Sequence, residues 1–333
     1  MLNPASLTLG CLESTTLGPD EKDFISFHQP AGVTLFARNL IDKEKLGPLK
    51  LLQELQACVK KNGSPFIVAM DQEGGLVARM KHPVLDIGKA FDLCGGGFGT
   101  KALNTIEAIA YEQGRALLGL GVNVNFAPVL DVTFPREQFY NCFVNSRSFG
   151  QTKESVILRA GAYLKGLKRA SVSSCLKHFP GIGRISGDSH FVPVSGNLSK
   201  EFLWQENLEP FRSLHHASPM IMAGHLIFPD ISPLEVTRSS FWLREVLRNE
   251  FDFEGLILCD DLTMKAVPQE EGAWKNFVIE TVLAGCDLLL ICYGLEKWQM
   301  ACDVLELETK KSPTFKRYAE ASSDRLQKFR QKL

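Results

Sequence analysis

Eight short apolar runs, each ending in polar residues and separated by helical stretches, constrain this chain more than any other feature. They are "SLTLGCL" (6–12), "GVTLFARN" (32–39), "PFIVAMDQEGG" (65–75), "VNVNFAPVLDV" (122–132), "SSCLKHFPG" (173–181), "PMIMAGHLI" (219–227), "GLILCDDLTM" (255–264) and "DLLLICYG" (287–294). Continuous apolar strands are what a sheet buried on both faces requires. The stretches "EKLGPLKLLQELQACVKK", "NTIEAIAYEQGRALLGLG" and "SVILRAGAYLKGLKRA" repeat their apolar residues at three- and four-residue steps, the period of an amphipathic helix. Strands alternating with helices imply a parallel sheet, and eight is the number that closes one into a barrel. An open doubly wound sheet would gather its polar residues at one switch point. Here Arg38, Asp71, Asp131, Lys177, His178, His225 and Asp260 all fall at strand C-termini. That is the face on which an α/β barrel carries its active site. The expected fold is therefore α/β, a single (β/α)8 TIM barrel over residues 1–333.

Composition narrows the partners. Lys and Arg number 37 against 38 Asp and Glu, so nothing draws the chain toward nucleic acid or an anionic membrane. The N-terminus has neither the basic region nor the apolar core of a signal peptide, and no apolar run is long enough to span a bilayer. The nine cysteines are odd in number, scattered and without a C-x-x-C pair. They indicate a reducing, cytoplasmic setting with no disulfide framework and no zinc site. A small-molecule ligand is expected, bound by a monomer.

The chemistry concentrates at strand ends. Asp71 closes the third run, Gly74 and Gly75 allow a tight turn, and Arg79 follows. A carboxylate and a guanidinium at one rim suit a polyhydroxylated ligand; a plain surface ion pair is the bland alternative. Arg147, taken alone, reads as an ordinary surface arginine. Lys177 and His178 end the fifth run, and as neighbours on a strand they should point to opposite faces. The stretch "KHFPGIGRISGDSH" (177–190) then becomes glycine-rich and places Asp188 and His190 two apart. An aspartate beside a histidine orients the imidazole as a general acid/base. In "CDDLTM", Asp260 can face the mouth while Asp261 caps a helix starting at "LTMKAV". His215 and His216 read as a solvated helix end, and His225, ending the sixth run, as supporting structure that faces the mouth. "CGGGFGTK" (94–101) lacks phosphate-loop spacing. Metal ligation by His178, His190 and His225 has no spacing to support it.

Taken in order, "DQEGG" with "VAR", "NFAPVLDV", "RSFG", "KHFPG…DSH" and "CDDLTM" closely resemble the single-domain bacterial β-N-acetylglucosaminidases of glycoside hydrolase family three, over roughly residues 5–300. The resemblance implies a (β/α)8 barrel without the C-terminal sandwich domain of larger members. It implies cytoplasmic release of N-acetylglucosamine from 1,6-anhydro-muropeptides in peptidoglycan recycling, with no cofactor and no metal. Asp260 matches the nucleophile of a retaining mechanism. His190, oriented by Asp188, matches the acid/base carried on a mobile loop. Asp71, Arg79, Arg147, Lys177 and His178 match the residues that hold the sugar. Many members read "PGHG" and "EGGR" where this chain has Ile182 and Leu76. Two other readings stand beside this one. They are an amino-sugar- or muropeptide-binding barrel with weak catalysis, and an aldolase-type barrel using Lys177 as a Schiff-base amine.

Overall fold

A computed structural model describes residues 2–40, 47–59, 65–80, 86–93, 99–133, 146–183, 185 and 194–333. The eight runs form eight parallel strands: β1 (Thr8–Cys11), β2 (Gly32–Leu35), β3 (Ile67–Met70), β4 (Val124–Asn125), β5 (Ser173–Phe179), β6 (Met220–Ala223), β7 (Leu256–Cys259) and β8 (Leu289–Ile291). Each pairs with the next in chain order from β1 to β7, and β8 pairs back onto β1 with Thr8 opposite Leu289. A parallel bridge between Leu258 and Leu288 joins β7 to β8 and completes the ring. The fourth run is strand only at Val124–Asn125. Pro128 lacks an N–H for the ladder, and the chain rejoins β5 through a bridge from Val129 to Lys177.

Helices follow the strands: α1 (Pro19–His28), α2 (Gly47–Cys58), α3 (Thr100–Gly119), α4 (Lys153–Arg169), α5 (Glu209–Leu214), α6 (Phe241–Glu250), α7 (Glu271–Ala284) and α8 (Leu295–Lys311), with α9 (Pro313–Arg330) behind them. Their starts are chemically marked. Thr152 accepts the Ser155 N–H at α4, and at α9 Ser312 accepts from Phe315 with Pro313 in the first turn. Between α3 and α4 two glycines permit close approach. A Cβ on Gly166 would lie 2.3 Å from the Glu107 carbonyl oxygen, and one on Gly114 would lie 2.6 Å from the Ala170 Cβ.

Strand alternation sorts the core into two sets. Leu9, Ala69, Val124, Cys175, Met222, Leu258 and Leu290 belong to one buried cluster, which fills the barrel. Val33, Val68, Leu176, Ile221, Ile257 and Leu289 join the layer packed under the helices. Leu326 and Phe329 of α9 enter the interior cluster, and Arg330 donates to the carbonyl of Ala31, just before β2. The last helix thus closes the strand N-terminal end. Buried Asp287, just before β8, anchors Arg248 at 2.6 Å and Arg325 at 2.8 Å. The opposite, C-terminal end is the mouth. No helix among the described residues is long and apolar enough to cross a membrane.

Candidate active site

At the mouth the strand ends meet as an alternating network of charge. Asp71, directly after β3, accepts from Lys177 Nζ at 2.7 Å and from Arg79 Nη2 at 3.1 Å. Lys177 also reaches Glu73 at 2.5 Å. Glu73 in turn accepts two hydrogen bonds from Arg147, Nε and Nη2 each at 2.7 Å. The Nη2 of Arg147 lies 3.3 Å from His178 Nε2, and His178 Nδ1 lies 2.8 Å from Asp131 Oδ2. A guanidinium only donates, so Nε2 of His178 accepts and Nδ1–H donates to Asp131. The other oxygen of Asp131 accepts the Ile182 N–H at 2.8 Å.

Local sequence explains how these groups arrive. Gly74 and Gly75 take φ of +104° and +60°, and a Cβ on Gly74 would collide with Ile87 and the Gly88 carbonyl. The chain therefore reverses into a hairpin, Gln72–Gly74 against Val77–Ala78. Buried Gln72 locks it: its amide donates to the Met80 carbonyl at 2.7 Å and accepts the Met80 N–H at 3.0 Å. Arg79 is thereby returned to Asp71. On β4, Asn125 accepts from the Gln72 N–H and donates to its carbonyl, fixing the hairpin to the barrel.

Burial disfavours the charges on Asp71, Glu73 and Lys177, and their partners reverse its effect. For Asp71, desolvation would raise the carboxyl, but Lys177 and Arg79 hold it well below the usual range. Glu73, pushed up by burial, is brought down by Arg147 and Lys177 to about 2. Burial would lower Lys177, yet Asp71 and Glu73 raise it. Lys177 is thus a firmly protonated ammonium, which suits holding hydroxyl oxygens and removes the lone pair that a Schiff base needs.

The seventh strand delivers two carboxylates with different surroundings. Asp261 is buried, and desolvation raises it. It accepts from the backbone N–H groups of Thr263 and Cys292, both at 2.9 Å. It caps a turn rather than the expected helix, since 262–267 is not helical. Asp260 is half-buried at the mouth; its N–H donates to the Ala223 carbonyl and its own Oδ1 accepts the Asp261 N–H at 2.8 Å. Asp260 and Asp71 lie within electrostatic reach of the same two buried thiols, Cys175 and Cys292. His225 supports both aspartates from below. Its Nε2 faces the carbonyls of Asp260 and Asp261 at 3.1 and 3.2 Å, so Nε2 carries the proton, and Nδ1 meets Thr237 Oγ1 at 3.0 Å.

Of the residues singled out in the sequence, Asp71, Arg79, Arg147, Lys177 and His178 form one contiguous network at the mouth, with Asp260 on the same rim. Asp188 and His190 lie outside the described residues. Arg147 is not a surface arginine but 5% exposed, because Glu73 neutralises it inside. Lys177 and His178 do not point to different layers; both join the network. Glu73, Gln72 and Asn125 were not anticipated. Glu73 stands two residues from Asp71 in an extended segment, so shared-face periodicity could have found it. Ile182 is buried in the core cluster and serves the site through its backbone N–H. Leu76 is fully at the surface of the hairpin, 65% exposed. The described cysteines are free thiols. Among the described residues, no group of three His, Cys, Asp or Glu is arranged to hold a metal ion.

The profile of the glycosyl hydrolase family 3 N-terminal domain matches residues 9–316. A β-hexosaminidase of Haemophilus influenzae is 31% identical over 312 residues, covering 91% of this chain and 84% of its own. Among solved structures, a family 3 β-N-acetylglucosaminidase from a Paenibacillus strain superposes with a TM-score of 0.87 at 28% identity, covering 99% of this chain. This chain spans 62% of that larger one. NagZ from Neisseria gonorrhoeae, in complex with N-trifluoroacetyl-D-glucosamine, superposes at 0.77 with 25% identity, covering 97% of this chain and 98% of its own. A family match over most of the barrel, together with a relative above 30% identity, places the chain in glycosyl hydrolase family 3, as a glycoside hydrolase of the β-hexosaminidase group.

Proposed function

We propose that the chain is a retaining exo-β-N-acetylglucosaminidase. Its substrate would be a β-1,4-linked 1,6-anhydro-muropeptide, cleaved in the cytoplasm during peptidoglycan recycling with the barrel as the one catalytic domain. The observation that carries the reading is the continuous charge network from Asp71 to Asp131 on the same rim as Asp260. Carboxylates that accept and cations that donate, fixed in one place, suit a ring of sugar hydroxyls.

In this mechanism Asp71, Arg79, Lys177, Arg147 and His178 hold the N-acetylglucosamine ring. A carboxylate oxygen of Asp260 attacks the anomeric carbon as its bond to the leaving oxygen breaks, through an oxocarbenium-like transition state. His190, oriented by Asp188, gives its proton to that oxygen. The same imidazole then takes a proton from water, which displaces Asp260 and releases the sugar with its configuration retained.

The test is release of 4-nitrophenol from 4-nitrophenyl N-acetyl-β-D-glucosaminide, with the β-D-glucoside alongside. Activity on the acetamido sugar, lost in Asp260→Ala, is expected, and a 2-deoxy-2-fluoro glycoside should label Asp260. A label on another residue, or full activity in Asp260→Ala, would overturn the assignment. His190→Ala should lose least on nitrophenyl substrates, whose leaving group needs little protonation, and most on a muropeptide.

A further inference from the structure

The rim beside the charged network holds an aromatic surface that sugar binding at Asp71 does not use. Tyr293, two residues past β8, is 56% exposed. Its ring is nevertheless held. The guanidinium carbon of Arg38 lies 4.9 Å from its centroid and 4.9 Å from that of Phe36, and the two rings are 5.9 Å apart. Arg38 is itself tied to the barrel: Nε donates to the Leu12 carbonyl at 2.9 Å, and Nη2 donates to the Cys292 carbonyl at 2.8 Å. An arginine fixed by main-chain oxygens and stacked on two rings makes a preorganised face, so covering it costs the protein little further side-chain freedom.

This face is continuous with the candidate sugar site. Arg79, hydrogen-bonded to Asp71, lies 4.5 Å from the Phe36 centroid. On the other side, the residue before Tyr293 donates its N–H to Asp261, next to Asp260. Tyr293 therefore stands on the arc from β7 through β8, β1 and β2 to β3, between the strand ends that carry Asp260 and Asp71. With a sugar's hydroxyls in the network and its anomeric carbon at Asp260, a leaving moiety directed onto this arc lies against Tyr293. The network offers charge and hydrogen bonds; the ring offers a flat apolar face, which matches the C–H face of a second ring.

We propose that Tyr293, backed by Phe36 and Arg38, is a specificity-determining residue on which a ring-shaped leaving moiety stacks. The proposal rests on the glycosidase reading of the mouth. The test compares two substrates with unactivated leaving groups: the disaccharide N,N′-diacetylchitobiose, whose leaving part is a pyranose, and methyl N-acetyl-β-D-glucosaminide, whose leaving part has no ring. Tyr293→Ala should lower kcat/KM for the disaccharide roughly tenfold, mainly through KM, and leave the methyl glycoside within about twofold. Tyr293→Phe, which keeps the ring, should leave both within about twofold. An equal loss on both substrates, or none on the disaccharide, would overturn the stacking role while the glycosidase reading stands. If the wild type cleaves neither substrate nor any other N-acetylglucosaminide, the glycosidase reading fails and the proposal with it.

Discussion

Glu73 offers the sharpest test of the network, because it binds two buried cations and is itself 5% exposed. Glu73→Gln keeps the shape and one acceptor oxygen but deletes the charge, and it aims an amide N–H₂ at a cation. In the native protein the carboxyl titrates at about 2 rather than the ordinary 4.5. That difference corresponds to about 3 kcal/mol of stability at neutral pH. Breaking a buried pair by removing one partner costs about the same, 3–5 kcal/mol. The sign of the pH dependence follows. The unfolded chain takes up the proton near 4.5 and the native protein only near 2, so the stabilisation is complete above the first value and is lost as pH falls toward the second. Urea unfolding of wild type and Glu73→Gln should differ by about 3 kcal/mol near pH 7, and the gap should narrow by about 2 kcal/mol between about pH 5 and pH 3. A gap below about 1 kcal/mol, or one that does not change with pH, would refute the reasoning.

Three further outcomes are expected. Asp131→Asn replaces the acceptor of the His178 Nδ1 proton and should lower kcat/KM roughly 10- to 100-fold, as loss of a hydrogen bond to a charged group does; near-native kinetics would show that the imidazole does not need this partner. Gly166→Ala forces a methyl against the Glu107 carbonyl and the Ala110 side chain and should cost about 1–3 kcal/mol in thermal or urea unfolding. Thr237→Val strips Nδ1 of buried His225 of its hydroxyl partner and should destabilise by about 1–3 kcal/mol; an unchanged midpoint would mean that the aspartate carbonyls alone position that ring.

The barrel was legible because strands buried on both faces are mostly apolar until they emerge, with Thr8, Thr34, Asn125 and Ser174 as uncharged exceptions, so the charged residues collected at the strand ends. The exception in length, β4, was cut short by Pro128, whose effect on a ladder is local and readable. Pairing was not legible. Lys177 meets Asp71 across 106 positions, and Arg147 meets Glu73 across 74. Nothing local in a sequence says which of several carboxylates a given cation will neutralise, so Arg147 read as a surface residue. Asp261 was expected at a helix start because aspartate caps helices well, yet it accepts main-chain N–H groups equally well from a turn and a neighbouring strand. The stack of Phe36, Arg38 and Tyr293 joins strand ends that are sequence-distant and adjacent only once β8 closes on β1.

The charge network also bears on how such a site can change over generations. Each carboxylate is shared by two cations, or by a histidine and the backbone, so one substitution leaves at least two polar partners short of a hydrogen bond or counter-charge. Routes to a different sugar that begin at the floor pass through an unstable intermediate protein. Tyr293 and Leu76 are exposed and bear no such debt, so single steps there are open. Diversification of a barrel built this way should therefore start from the rim, widening the range of leaving groups while the recognised sugar stays the same.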